Sequence, residues 1–158
     1  MNEISPKPHI EHNLREELRG RYVEEIDTGM TAVFAKTVTE ADIVLFAGIS
    51  GDTNPVHLDE NFAKDTLFKG RIAHGMLGAS FISTVFGTKL PGPGCIYLSQ
   101  SLKFKAPVRI GDTVVARVTA TLVDQHKGRV TFETTAHVGD TLVMDGEAQL
   151  LVPKRPKD

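Results

Sequence analysis

The 158-residue chain is long enough to bury the core of one domain without disulfides or structural metals. Its hydrophobic share of 41% and charged share of 24% are typical of a globular protein, and its net charge of −2 argues against nucleic acid as the main partner. The single cysteine, Cys95, excludes an intrachain disulfide and a cysteine-rich zinc site.

The N-terminal region is polar and contains two prolines, which predicts a flexible arm over residues 1–19 in which a short helix can form around residues 14–18. We expect no secretory signal here and no membrane span, because the uncharged run at residues 75–88 is short and rich in Gly, Ser and Thr. The prediction is a cytoplasmic protein with a folded domain over residues 20–153 and a basic tail at 154–158.

The first half of the domain contains a strand followed by helical segments. Residues 31–38 are rich in strand formers, and Thr39 with Asp42 is close to a capping box, which predicts a helix that ends at Gly48. Asn54-Pro55 predicts a turn, followed by a short helix near residues 60–66. Residues 75–86 carry apolar side chains on nearly all sides, which predicts a central helix that is buried all round.

The second half changes to a hydrophobic period of two, which predicts long antiparallel strands. The alternation places Ile96 and Leu98 on the same face as Leu102 and Phe104, and it extends the buried face of the next strand to Leu122. Helical segments followed by a run of strands predict one α+β domain, with a long central apolar helix against a curved antiparallel sheet.

Acid–base groups are concentrated at residues 50–75, directly before the apolar helix. The turn at Asn54-Pro55 allows the Asp52 carboxylate and the His57 imidazole to face a common point. Histidine titrates at a pH of about 6.5, so it can take and give a proton, while a neighbouring carboxylate can hold a water or orient the ring. The spacing alone favours a polar loop, since Asp and Asn often make local hydrogen bonds in turns.

His74 and Gly75 lie where this segment enters the central helix. A helix N-terminus offers unpaired N–H groups, and a glycine lets a ligand approach them, so a carbonyl that gains negative charge can be stabilised there. Alternatively, Gly75 only relieves crowding and His74 is a capping or core histidine. Within the helix, Ser80, Ser83 and Thr84 either bond back to the preceding turn or position a substrate.

Two other chemistries fit the sequence less well. A metal site formed by His57, Asp59 and His74 has the two-histidine, one-carboxylate composition of some metal centres, but the spacing matches no known metal-binding helix. The residues around Ser80 do not form a G-x-S-x-G nucleophile motif. We therefore expect no metal and no other cofactor.

Three stretches together resemble the MaoC-like, (R)-specific enoyl-CoA hydratases of the hot-dog fold. They are FAGISGDTNPVHLDENFA at 46–63, GRIAHGMLGASFIS at 70–83 and IYLSQSLKFKAPVRIGD at 96–112. The joint order of Asp, Asn-Pro, His and His-Gly is specific, and the resemblance covers roughly residues 20–152. It implies a helix wrapped by an antiparallel sheet and a homodimer or higher homo-oligomer.

The resemblance also implies roles for individual residues. Asp52 and His57 are the catalytic pair, and the Gly75 N–H receives the thioester carbonyl. Ser83 helps to hold the site. His74 is a supporting residue beside these groups, as is Asn54.

The implied activity is the reversible hydration of trans-2-enoyl-CoA to (R)-3-hydroxyacyl-CoA, with an acyl-CoA or acyl-carrier-protein thioester as the partner. Lys69, Arg71, Lys103 and Lys105 are candidates for contact with the carrier's phosphates, although such charges usually lie on a solvated face. Alternatives are a thioesterase of the same fold, a 3-hydroxyacyl-acyl-carrier-protein dehydratase, or a non-catalytic acyl-thioester-binding subunit.

Overall fold

In a computed structural model, the structure describes Leu14 and residues 16–156. Residues 1–13, which make up most of the predicted arm, and residues 157–158 of the predicted tail lie outside the described residues; Leu14 and residues 16–18 are helical. The later elements are a 3-10 helix at Val23–Glu25, β1 (Thr31–Thr37), α1 (Glu40–Ser50), α2 (Pro55–Leu58), α3 (Glu60–Ala63), α4 (Gly75–Thr88), β2 (Ile96–Phe104), β3 (Thr113–Asp124), β4 (Arg129–Val138) and β5 (Thr141–Leu151).

The strands of the described chain form one antiparallel sheet in the order β1-β3-β4-β5-β2, and α4 packs on one of its faces. The α+β architecture predicted from the sequence is therefore confirmed. Aromatic contacts join the two layers: the ring of Phe86 in α4 lies 5.0 Å from that of Phe132 in β4, and Phe81 lies 5.8 Å from Phe34 in β1. These rings bury the apolar side of the helix against the sheet.

The prediction that α4 is buried all round is wrong for a single subunit. Phe81, Ile82 and Val85 are buried, but Met76 is 57% exposed and Ser83 is also exposed. One sheet covers only one side of a helix, so residues on the opposite side, such as Met76 and Ser83, remain exposed. Within residues 16–156, no helix combines the length and the apolar character that crossing a bilayer requires.

The predicted faces of parts of β2 and β3 are wrong, because each of these strands contains a β-bulge. In β2 the register against β5 shifts between Tyr97 and Ser99, so Tyr97 faces the helix, with its ring 5.2 Å from Phe86. Ile96 and Leu98 are therefore not on the face shared by Leu102 and Phe104, which is a correction of the predicted alternation. In β3 a shift after Ala120 leaves Leu122 62% exposed. A bulge adds one residue to a strand and so reverses the alternation beyond it.

The helix before the site has the predicted start but a different end. Thr39 accepts a hydrogen bond from the Asp42 N–H, and the Asp42 carboxylate accepts one from the Thr39 N–H, which confirms the capping box. The helix continues through Gly48 to Ser50 and ends at Gly51, whose φ of 76° is left-handed. Gly51 rather than Gly48 therefore supplies the C-terminal cap and directs the chain toward Asp52.

Candidate active site

A cavity of about 530 Å³ opens between the N-terminus of α4, the loops before it and the inner face of β2 and β5. Asp52, His57, His74 and Gly75 form its polar end. The remaining wall is mostly apolar and includes Phe68, Ile72, Met76, Phe104, Val143 and Met144. A cavity of this size, apolar with a few converging polar groups, suits a small organic ligand or part of a larger one.

Local hydrogen bonds set the position of Asp52 at the cavity mouth. Its backbone N–H donates to the Ser50 hydroxyl at 3.1 Å, and its carboxylate accepts from the Asn54 N–H at 3.2 Å. The Asn54 side chain in turn accepts from the Val56 N–H and caps α2, where Pro55 occupies the first turn. The predicted turn therefore becomes the start of a short helix that carries His57 into the cavity.

The hydrogen bond of His57 fixes which ring nitrogen is free. Its Nδ1 lies 2.8 Å from the carbonyl oxygen of Ile72. A carbonyl oxygen only accepts, so Nδ1 carries the hydrogen and Nε2 keeps its lone pair. Burial lowers the pKa of His57 and the nearby His74 ring adds to this, while the bond to Ile72 and the charge of Asp52 oppose it. The result is an imidazole that is a base at neutral pH.

His74 bonds to the other member of the predicted pair. Its Nε2 lies 2.9 Å from the backbone carbonyl oxygen of Asp52, and its ring stacks on that of His57 with centroids 3.8 Å apart. His74 is the residue before α4 but does not cap the helix with its side chain. The side chain therefore does not cap the helix but is buried, as the alternative of a core histidine expects, and it contacts both predicted catalytic residues.

The alternative metal site of His57, Asp59 and His74 does not form, because Asp59 lies elsewhere. Asp59 instead caps α3, where its carboxylate accepts from the Asn61 and Phe62 N–H groups. Asp52, rather than Asp59, lies beside the two histidines. One potential ligand atom from each of Asp52, His57 and His74 lies within 4.8 Å of the other two. The two imidazole planes differ by only 30°. The lone pairs of two stacked rings lie in separate, nearly parallel planes and do not both point at one ion, so this geometry fits a bridging water better than a metal.

Gly75 and Ser83, both on α4, lie at different distances from the pair. Gly75 is the first residue of the helix and lines the cavity, so its N–H belongs to the turn whose donors lack partners within the helix. Ser83 is exposed and does not line the cavity. It lies eight residues further along α4, about 12 Å from Gly75 along the axis. Ser80 and Thr84 bond back to the preceding turn.

Arg71 has a role that the sequence did not indicate. Its Nε donates to the carbonyl oxygen of His57 at 2.7 Å, and its two terminal nitrogens each lie 2.9 Å from the Glu40 carboxylate. Arg71 thereby ties α2 to the first turn of α1 rather than lying free for a phosphate. Of the other three basic candidates, only Lys105 lines the cavity, and it lies 3.4 Å from Asp145.

Comparison with known proteins agrees with this architecture. A family model described as the MaoC like domain matches residues 22–141. An (R)-specific enoyl-CoA hydratase of Rhodospirillum rubrum is 60% identical over 85% of this chain and 93% of its own length. A 3-hydroxybutyryl-CoA dehydratase of Methylorubrum extorquens is 48% identical over 88% of each chain. The unliganded R-hydratase of Pseudomonas aeruginosa superposes with a TM-score of 0.81 at 41% identity, covering 86% of this chain and 88% of that one.

The fold is accordingly the hot-dog fold, a helix held against an antiparallel sheet. The chain belongs to the MaoC-like family.

Proposed function

We propose that this protein is an (R)-specific enoyl-CoA hydratase, which adds water across the C2–C3 double bond of a trans-2-enoyl thioester. One observation carries the proposal: the Asp52 carboxylate and the His57 ring lie within 4.8 Å of each other at the mouth of an apolar cavity, beside a helix N-terminus. A single water can form hydrogen bonds of about 2.8 Å to both groups across that separation. The names of the relatives support this choice of substrate.

The tautomer of His57 suggests the order of proton transfers. Nε2 takes one proton from the water as its oxygen forms a bond to C3. The electron pair of the double bond moves toward the thioester carbonyl and leaves an enolate. C2 then takes the proton from Nε2–H, which restores the neutral imidazole. The Asp52 carboxylate accepts a hydrogen bond from the second O–H of the water, which remains on the product as its hydroxyl group, and this bond aims the water oxygen at C3.

The N-terminus of α4 stabilises the enolate. Gly75 lines the cavity as the first residue of the helix, so its N–H has no partner within the helix and can donate to the thioester carbonyl, and the positive end of the helix dipole adds to this effect. This interaction is strongest when charge has developed on the oxygen, so it lowers the barrier more than it tightens substrate binding. The first atom of any side chain at Gly75 would lie 2.7 Å from the Phe104 ring, so the position favours glycine.

We further propose that two copies of the chain pair through β2. This strand is an edge of the sheet and carries exposed apolar side chains at Ile96, Leu98 and Phe104, while Met76 is exposed on the neighbouring α4. An unprotected apolar edge favours pairing with another strand. A second copy offers the same edge in antiparallel orientation. A role for Ser83 in holding the site, and the cytoplasmic location, stay predictions.

An assay with crotonyl-CoA distinguishes the candidate activities. We expect loss of the enoyl absorbance without release of free thiol, and an (R)-3-hydroxy acid after hydrolysis and chiral chromatography of the product. Release of thiol would indicate a thioesterase instead. Tight binding without turnover would indicate a non-catalytic subunit. A parallel reaction with crotonyl-acyl-carrier protein tests the dehydratase alternative, which predicts faster turnover of that substrate.

A further inference from the structure

We propose that His74 is a positioning residue, which keeps Asp52 and His57 at fixed positions relative to the N-terminus of α4. The inference rests on the proposed function, since it assigns a task to a residue that touches both members of the catalytic pair. Its evidence consists of one hydrogen bond, two ring contacts and one nitrogen without a partner.

The hydrogen bond joins parts of the chain that are distant in sequence. The Nε2–H of His74 donates to the carbonyl oxygen of Asp52, 22 residues earlier, at 2.9 Å. The other bonds at Asp52 run to Ser50 and Asn54, its near neighbours, and fix only the local turn. The bond from His74 therefore anchors that turn to the wall of the cavity, although the Asp52 side chain itself is exposed.

The two ring contacts fix the orientation of the base. The His74 ring contacts the ring of Phe46 in α1, with centroids 4.9 Å apart, and the ring of His57 in α2, with centroids 3.8 Å apart. The bond from His57 Nδ1 to the Ile72 carbonyl restrains one atom of the ring and leaves the ring plane some freedom to rotate. A ring stacked against His57 restricts this rotation and keeps Nε2 directed toward the bound water.

His74 also sets the position of Asp52 and His57 relative to the Gly75 N–H, which is the proposed oxyanion donor. It directly precedes Gly75, and its backbone carbonyl accepts from the Leu77 N–H at 3.1 Å. The preferred residues at such a position are Ser, Thr, Asp and Asn, whose short side chains bond to the helix N–H groups. The His74 side chain makes no such bond and reaches Asp52 instead.

The second ring nitrogen of His74, Nδ1, argues against a role for this residue in packing alone. Among the described residues, His74 Nδ1 is the buried side-chain atom that has no hydrogen-bond partner, and the residue is only 2% exposed. An unsatisfied buried acceptor lowers stability, so an apolar side chain would serve packing better. The ring is consistent with selection for its Nε2 donor and its flat face.

Two variants separate these contributions. His74→Phe keeps a ring that can contact Phe46 and His57 but loses the donor, while His74→Gln keeps a donor of similar reach. In the crotonyl-CoA assay we expect His74→Phe to lower kcat about 10- to 100-fold with KM within about twofold, because small misplacements of reacting groups slow the chemical step. His74→Gln should recover part of the loss. The exposed His126→Phe is the control and should match the wild type.

A second readout is the titration of His57. The groups that face it are Asp52 and His74, while Arg71 contacts its backbone carbonyl. His74 contributes to the lowered pKa of His57, so its replacement by Phe raises that pKa. Because the neutral form is the base, the acidic limb of kcat/KM should move to higher pH. A residue that only supports the fold would lower the folded fraction and leave the limb in place.

Nitrogen NMR of the His57 ring provides a test that does not depend on turnover. We expect one Nδ1–H tautomer in the wild type and exchange between tautomers in His74→Ala, which removes the stacked ring that restrains His57 beside Ile72; if that variant does not fold, His74→Gln, which also lacks the ring, is compared with the wild type instead. An unchanged ring spectrum, with wild-type kcat and pH profile, would overturn the inference while leaving the hydratase proposal intact. A wild-type protein without hydratase activity, but with the expected change in tautomer, would refute the proposed function and retain the positioning role.

Discussion

At the scale of single residues, Gly75 lies where the cavity, α4 and β2 meet. A methyl group there would lie 2.7 Å from Cε1 of Phe104, so Gly75→Ala must displace either the ring or the start of the helix. We expect kcat/KM for crotonyl-CoA to fall about tenfold or more, because the oxyanion donor and the cavity wall both shift. Steady-state kinetics measures this loss.

Gly87 provides the matched control for this substitution. It lies in the same helix, and apart from its chain neighbours and the adjacent helix backbone no atom lies within 4 Å of the site of an added methyl group. Gly87→Ala should leave the kinetics unchanged, since it adds a methyl group in open space. Equal activity of Gly75→Ala and wild type would remove the close approach at Gly75 from the mechanism.

A site residue could be predicted from the sequence when the residues it contacts are close to it in the chain. Asp52 and His57 are separated by a short turn whose chemistry is visible in the sequence, so their convergence on one cavity could be expected. The bonds from His57 to Ile72 and from His74 to Asp52 span 15 and 22 residues. Tertiary packing creates such bonds, and no local pattern indicates them.

At the scale of elements, α1 carries two glycines with opposite conformational needs. Gly48 lies inside the helix, whereas Gly51 caps it with a φ of 76°, and a methyl group at either would lie in open space. Gly48→Ala should raise the free energy of unfolding by about 0.5–1 kcal/mol, because alanine has the higher helix propensity. Gly51→Ala should lower it by about 1–2 kcal/mol, because a side chain disfavours the left-handed conformation.

Urea denaturation of the two variants checks the signs directly. Steric contact cannot account for a difference between two open positions, so opposite shifts in the midpoint isolate the backbone effect. A stabilising Gly51→Ala would contradict the left-handed cap and would place the helix end elsewhere.

Element types were easier to predict than the exact course of each strand. The apolar run of α4 and the alternation in β3 to β5 correctly indicated a helix on an antiparallel sheet. The bulges near Leu98 and Leu122 reverse the alternation, so the prediction assigned both side chains to the wrong face of the sheet. Bulges depend on twist and on the partner strand, so periodicity within one strand does not reveal them.

At the scale of the whole molecule, the exposed edge of β2 predicts a homodimer. Sedimentation equilibrium should give twice the mass of the chain. Leu98→Lys should shift the equilibrium toward monomer, because a lysine on an edge strand opposes pairing. Leu122→Lys is the control, since Leu122 is similarly exposed but lies on β3, between β1 and β4. A monomeric wild type, or equal dissociation of both variants, would contradict pairing through β2.

The central claim is that Asp52 and His57 together activate the water that adds to an enoyl thioester. The most direct measurement is kcat for crotonyl-CoA hydration by Asp52→Asn and His57→Gln, compared with Asp65→Asn and His126→Gln at exposed positions away from the cavity. We predict that each site variant remains folded and loses about 100-fold or more in kcat, while both controls match the wild type. Near wild-type turnover by either folded site variant would contradict the mechanism.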